Sequence, residues 1–500
     1  MAGAPLSPPP PPPPPSPASE PLELDDMQGL VARAYGHLPL ARYLLCRIVE
    51  PAAARAWLGR LAREVFPADR AKEDAVAVNV AVTWRGLHQL GLSDDALATF
   101  PRALQEGMVT PHRSRILGDL GDSDPSRWRW GGTNNDNGGS AGIDLLIMLF
   151  APTEEVLTTD LAARRAAFAA GGALEEVVEP MNGRLMGGYE HFGFADGVSQ
   201  PILKGWPRRT GSEHPPAPPP ARFSDVEPGE IVLGYNDNFG KPAHGPTVAD
   251  AGPARRLPWA PWAKGRRDLG RNGSFLVFRQ LAQDIPAFRR AVEAASEATA
   301  VRDKGLTPAQ LGAKMVGRWA SGAPIVLYPD ADPGHAGSND FGYHDDDQFG
   351  RRSCPVGAHV RRANPRDSSQ HSPAEGLMTT LNHRILRRGR PYGLPFVDPP
   401  TQPGEEAKAE RGLLFVCLNT DIERQFEFVQ HTWVENPYFG GQYGEVDPLI
   451  GTQPPGGGAF TIPADPVRRR VSGLPSFVTT RGGAYFFLPG IKALRYLSQM

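Results

Sequence analysis

IDLLIMLFAPTEEVLTTDLAARRAAFAAG, residues 143–171, decides how the rest of the chain is read. Its opening, IDLLIMLFA, is almost wholly apolar and far too short to span a membrane, so it reads as a buried strand. Thr153 with Glu154 and Glu155 then supplies a helix-start signal for the alanine-rich stretch that follows. Working outward, AVAVNVAVTW (75–84) is a second continuous, β-branched strand, followed by a short helix in RGLHQLGL. PAAARAWLGRLAREVF (51–66) has Trp57, Leu58, Leu61 and Val65 at helical spacing. QGLVARAY, from residue 28, is predicted as a strand, with order beginning near Met27.

The pattern pauses over a Pro/Gly-rich stretch from about 201 to 270 and then returns. GSFLVFRQL (273–281), LLFVCLN (413–419) and GGAYFFLPG (482–490) read as strands. AFRRAVEAAS (287–296), IERQFEFVQHTW (422–433) and the terminal IKALRYLSQM read as helices. Two halves with similar strand–helix order imply an α+β protein, each half an antiparallel sheet with helices on one face. The expected divisions are a disordered proline-rich tail (1–24), a first half (25–235) and a second half (236–500).

The totals set bounds. In 500 residues, 53 Lys+Arg face 55 Asp+Glu, and the net charge of −2 offers nothing to nucleic acid or an anionic membrane. The three cysteines, Cys46, Cys354 and Cys417, form neither a disulfide framework nor a C-x-x-C metal motif. A reducing, cytoplasmic location is expected, since no export signal or apolar span is present. No dinucleotide or phosphate-loop glycine pattern occurs, which sets nucleotide enzymes aside.

Three segments mix glycine with charge. In HFGFADGVSQPIL (191–203), Asp196 is either a turn residue or an acid held among Phe192 and Phe194. In SCPVGAHVRRANPR (353–366), His359 is either a core histidine or a single axial ligand to haem iron, with Cys354 a second candidate. Arg361, Arg362 and Arg366 either meet the carboxylates of such a cofactor or cover a surface. NHRILRRGRPYG (382–393) is either a solvated basic edge or carries one inward arginine that holds an anion. HDDDQFG (344–350) lacks the alternation and the terminal glutamate of a calcium loop and reads as surface.

Taken together, GFADGVSQP (193–201), CPVGAHVRRANPR (354–366) and HRILRRGRPYG (383–393) resemble, in that order, the motifs of the dye-decolorizing peroxidases, a haem peroxidase family. QGLVARAYGHLPLARYLLCRI (28–48), WRWGG (128–132) and FVQHTWVENP (428–437) extend the likeness over roughly residues 28–495. The resemblance implies two ferredoxin-like halves with one haem b in the second. It implies His359 as proximal iron ligand, Asp196 over the distal face and Arg387 as distal arginine, with Arg388 the neighbouring alternative. It also implies Asp447 as the carboxylate behind the imidazole, with Glu445 two residues away; of the three arginines after His359, Arg362 is expected against the cofactor. The implied reaction uses hydrogen peroxide to oxidise bulky aromatic donors such as dyes and phenols. A haem-binding protein of porphyrin or iron handling, or a shell cargo, is the alternative, and a homo-oligomer is left open.

Overall fold

The computed structural model describes residues 20–70, 75–134, 142–206, 223–300, 305–348, 350, 353–369, 372–395, 409–464 and 466–500. Most of the expected tail (1–19) and the centre of the Pro/Gly-rich stretch (207–222) lie outside the described residues. Residues 20–24, expected in the tail, are held: Leu22 and Leu24 pack on the core, and Glu20 and Glu23 pair with Arg271.

Ten strands form one antiparallel sheet. The first half supplies β1 (Leu40–Ile48), β2 (Ala77–Val82), β3 (Leu145–Ala151), β4 (Leu174–Glu176) and β5 (Met181–Arg184). The second supplies β6 (Ser274–Gln283), β7 (Leu386–Arg387), β8 (Arg390–Tyr392), β9 (Gly412–Asn419) and β10 (Val478–Leu488). β1 lies between β3 and β5, and β6 lies between β9 and β10. Single-residue pairings join the halves, Phe487 to Val82 on one side and Tyr392 to Gly183 on the other, so the sheet closes on itself.

Closure explains why the strands read as continuous apolar runs. Inside the ring, Tyr43, Met148, Phe278, Leu414 and Phe486 form one core. The alternate residues Leu44, Val80, Ile147, Val277 and Phe487 form another beneath the helices. Both faces are buried, so no alternation survives in the sequence. Tyr43 of one half stacks on Phe278 of the other at 5.2 Å, joining the halves through the middle.

The helices α1 (Pro51–Glu64) and α2 (Glu154–Gly171) cover the first half, and α3 (Ile285–Ala300) and α4 (Pro308–Val316) the second. Thr153 accepts a hydrogen bond from the Val156 N–H, as a helix cap requires. Two local expectations change. QGLVARAY is not a strand: Gly29–Ala32 is a helical turn, and the Gln28 amide replaces a strand partner by bonding both the N–H and the C=O of Val80. IERQFEFVQHTW is wound as π-helical turns over Glu423–Glu427 and Val429–Val434. Among the described residues no helix is long and apolar enough to cross a membrane.

Candidate active site

Side chains at i and i+2 on a strand share a face. Leu413 and Phe415 of β9 lie opposite Leu281 and Arg279 of β6, and Arg387 of β7 lies opposite Cys417. Leu281, Arg279, Leu413, Phe415 and Arg387 line a cavity of about 860 Å³, within the ~300–1,000 Å³ of cofactor and small-molecule sites. Further wall comes from the short helix α5 (His359–Ala363), the π-helical turns, and Leu449 and Ile450.

His359 opens α5 and lines this cavity. Its Nδ1 donates to Asp447 Oδ2 at 2.9 Å. Asp447 is fully buried, and its Oδ1 accepts the N–H groups of Leu449 and Ile450. The carboxylate is thereby fixed, and it fixes the ring with Nε2 as the nitrogen left for a ligand. Burial alone would depress the imidazole pKa, but the Asp447 charge and hydrogen bond outweigh it and hold the pKa above the ordinary value. For Asp447 burial pushes upward, and His359, the Ile450 N–H and Arg362 bring it below the ordinary carboxylate value. Glu445 is spent elsewhere, accepting the N–H and hydroxyl of Thr461.

Asp196 sits on the GFADG turn. Glu190 folds that turn by accepting the N–H groups of Phe192 and Phe194, and Gly193 and Gly197 take φ of +97° and +75°, which a side chain would strain. Asp196 Oδ1 accepts the Gly197 N–H at 2.6 Å and a bond from Arg387 Nη1 at 3.1 Å. Asp196 is thus a turn residue and an acid of the cavity at once. Phe192 and Phe194 pack on Phe288, and the Asp196 side chain keeps 32% exposure. The dry aromatic pocket expected around it is not formed. Arg388 points away from the cavity and donates to the carbonyls of Leu30 and Val31.

Arg362 does not join the site. It is fully buried, absent from the cavity wall, and spent on the carbonyls of Gly357, Trp433, Asn436 and Glu445. An arginine three residues from His359 on a one-turn helix has no reach left for a cofactor. Its role as a clamp inside the protein explains the RR pair: Arg361 binds Asp347, which holds the His344–Gln348 helix against α5. Cys354 is buried away from the cavity.

Two other arginines, Arg366 and Arg384, do line the cavity. Arg366 lies 3.8 Å over Phe341 and donates to the carbonyls of Asn339 and Phe341. Arg384 is 7% exposed and lines the cavity, and its guanidinium has no hydrogen-bond or ion-pair partner among the described residues. Burial, with the charges of Arg366 and Arg387 beside it, lowers its pKa to about 9. A buried guanidinium without an acceptor is costly unless an anion arrives. No spacing rule singles it out, because it precedes β7 and follows no strand alternation.

A ring nitrogen held ready by a buried carboxylate, an Arg–Asp pair on the same cavity and a cation without an acceptor among the described residues are the parts a haem peroxidase site would use. The family model described as "Dyp-type peroxidase, C-terminal" matches residues 254–466. The dye-decolorizing peroxidase msp1 of Mycetinis scorodonius is 33% identical over 85% of this chain and 77% of its own. The crystal structure of a fungal DyP-type peroxidase from Auricularia auricula-judae superposes with TM-score 0.74 at 26% identity, covering 96% of this chain and 100% of that one. An ancestral D-type dye-decolorizing peroxidase gives TM-score 0.73 at 29% identity, with 95% and 99% covered. The chain belongs to the dye-decolorizing peroxidase family.

Proposed function

We propose that this enzyme uses hydrogen peroxide to oxidise bulky aromatic donors such as dyes and phenols, with one haem b per chain bound through His359 Nε2. The residues fit such a group: the free ring nitrogen, the apolar faces of Leu413 and Phe415, and Arg384 and Arg366 for its carboxylates. When bound, haem supplies the redox-active iron. Asp447 orients the imidazole and keeps it electron-rich. Asp196, whose Oδ1 is occupied, offers Oδ2 to take a proton from the nearer peroxide oxygen and return it to the farther one. The Arg387 guanidinium holds the negative charge of the peroxide and of the departing hydroxide.

The observation that carries this reading is the 3.1 Å Arg387–Asp196 pair on the cavity that holds His359. A haem carrier or a passive shell cargo needs no charged pair there. Three buried, unpaired cysteines support the cytoplasm as its compartment. The test is peroxide-dependent bleaching of an anthraquinone dye by the haem-loaded protein. Turnover in the wild type, lost in Arg387→Leu with haem still bound, supports the proposal; a haem-loaded wild type inert to peroxide refutes it.

A further inference from the structure

The cavity reaches the surface at a mouth that no step above uses. Exposed Leu120, Gly121, Asp122, Pro454 and Pro455 form its rim. Glu435 stands within, on the cavity wall and partly exposed. Both its carboxylate oxygens accept the Thr452 N–H at 3.1 Å, and no Lys, Arg or His among the described residues pairs with it. Gly118, at φ +72°, lies against it, and a Cβ there would overlap the carboxylate. The space is kept for the carboxyl group.

Val434, Leu449 and Ile450 supply apolar lining in the same cavity. Burial, with the charges of Asp447 and Asp119, pushes the Glu435 pKa up to about 7 against its Thr452 hydrogen bonds, and the Arg362 guanidinium feels the Glu435 charge. Behind it, Asp119 is committed to Arg279. An acceptor poised at neutral pH, among apolar side chains and inside an open mouth, fits an aromatic ring that carries a hydroxyl.

We propose that Glu435 accepts the proton of phenolic donors that enter through the Leu120–Pro455 mouth, a donor site apart from the Asp196–Arg387 end. This rests on the peroxidase reading. The phenol O–H bond breaks, its proton passes to Glu435, and its electron passes to the peroxide-oxidised enzyme, releasing a phenoxyl radical. Two such donors reduce one hydrogen peroxide to two waters.

The test compares kcat/KM for 2,6-dimethoxyphenol with that for ABTS, which gives an electron and no proton. Glu435→Gln is expected to lower the phenol-to-ABTS ratio by about a hundredfold, the low end of general-base contributions. It is also expected to remove an inflection near pH 7 from the phenol profile, while Glu435→Asp restores part of both. Leu120→Trp, at the exposed rim, lowers the same ratio without touching the carboxylate. Calorimetry on the resting holoenzyme gives an independent readout: 2,6-dimethoxyphenol binds more tightly than 1,2,3-trimethoxybenzene, and Glu435→Gln erases that preference. A ratio unchanged within about twofold in Glu435→Gln, or equal binding of the two ligands by the wild type, overturns the proposal. A haem-loaded wild type that oxidises neither donor overturns the peroxidase reading itself, and this with it.

Discussion

Asp447 stands behind His359 with Oδ2 2.9 Å from Nδ1, while its other oxygen is held by two backbone N–H groups. The pair is a positioning device as much as an electrostatic one, because neither partner can turn without stranding a buried polar atom. Asp447→Asn keeps the shape and loses the charge. The reaction with peroxide should slow by roughly 10- to 100-fold, as for other outer-shell partners of metal-bound histidines. The ferric/ferrous potential should rise, since a less electron-rich imidazole favours the reduced iron. Stopped-flow absorbance and a redox titration measure the two effects.

The raised imidazole pKa couples cofactor binding to pH. Without haem, the His359–Asp447 pair retains an extra proton at pH values above 6.5, and iron must displace it from Nε2. Below the raised pKa, haem affinity should fall by about tenfold per pH unit; above it, affinity should level off. The same shift makes the pair's contribution to folding complete below the unfolded imidazole value of 6.5, with loss as pH rises through the folded value. Haem titration of the apoprotein from pH 5 to 9 checks the slope, and a flat affinity over that range contradicts it.

The Arg384 guanidinium has no acceptor among the described residues. Arg384→Met should therefore leave the haem-free protein as stable as the wild type or more so, while haem affinity falls roughly 10- to 100-fold, the worth of one charge-assisted hydrogen bond. Thermal melts and haem transfer to a scavenging globin separate these opposite effects.

Arg387 and Asp196 face the same cavity, and the Arg387 guanidinium is the donor that can hold an anion there. Arg387→Leu should slow the peroxide step by about 10²–10³-fold, comparable to loss of an anion-stabilising donor elsewhere. Arg387→Lys should recover only part, because an ammonium cannot hold both Asp196 and a second oxygen in one plane. Rapid-mixing rates at several peroxide concentrations make the comparison.

Away from the site, Gln28 closes the open side of Val80 with side-chain bonds in place of a strand and also donates to Pro489. Gln28→Ala leaves the N–H and C=O of Val80 unpaired and buried, at a cost of about 3 kcal/mol. A lower urea midpoint at unchanged slope would show it.

These particulars also show what could be read from the chain. IDLLIMLFA and GSFLVFRQL were legible because strands buried on both faces are long apolar runs, and Thr153 marked its helix through a cap that the structure contains. β1 carries Arg42, Tyr43 and Arg47 among its apolar residues and gave no such run. QGLVARAY misled because a glutamine side chain, not a strand, fills the place beside Val80. His359, Asp196 and Arg387 were found through motif order and do line one cavity, with Asp447 buried behind the imidazole. Arg362 and Arg384 were not separable by sequence: both are arginines in basic segments, and only tertiary contacts show that one is spent on carbonyls and the other is not. The neutral-range Glu435 arises wholly from burial and from charges distant in sequence, which no local pattern records.

The most direct test of the central claim is the absorption spectrum of haem-loaded wild type beside His359→Ala, before and after one equivalent of peroxide. The account predicts a ferric, histidine-ligated Soret band in the wild type that shifts within the mixing time, and loss of that band in the variant, restored by added imidazole. An unchanged spectrum in His359→Ala would place the iron on another residue and contradict the account.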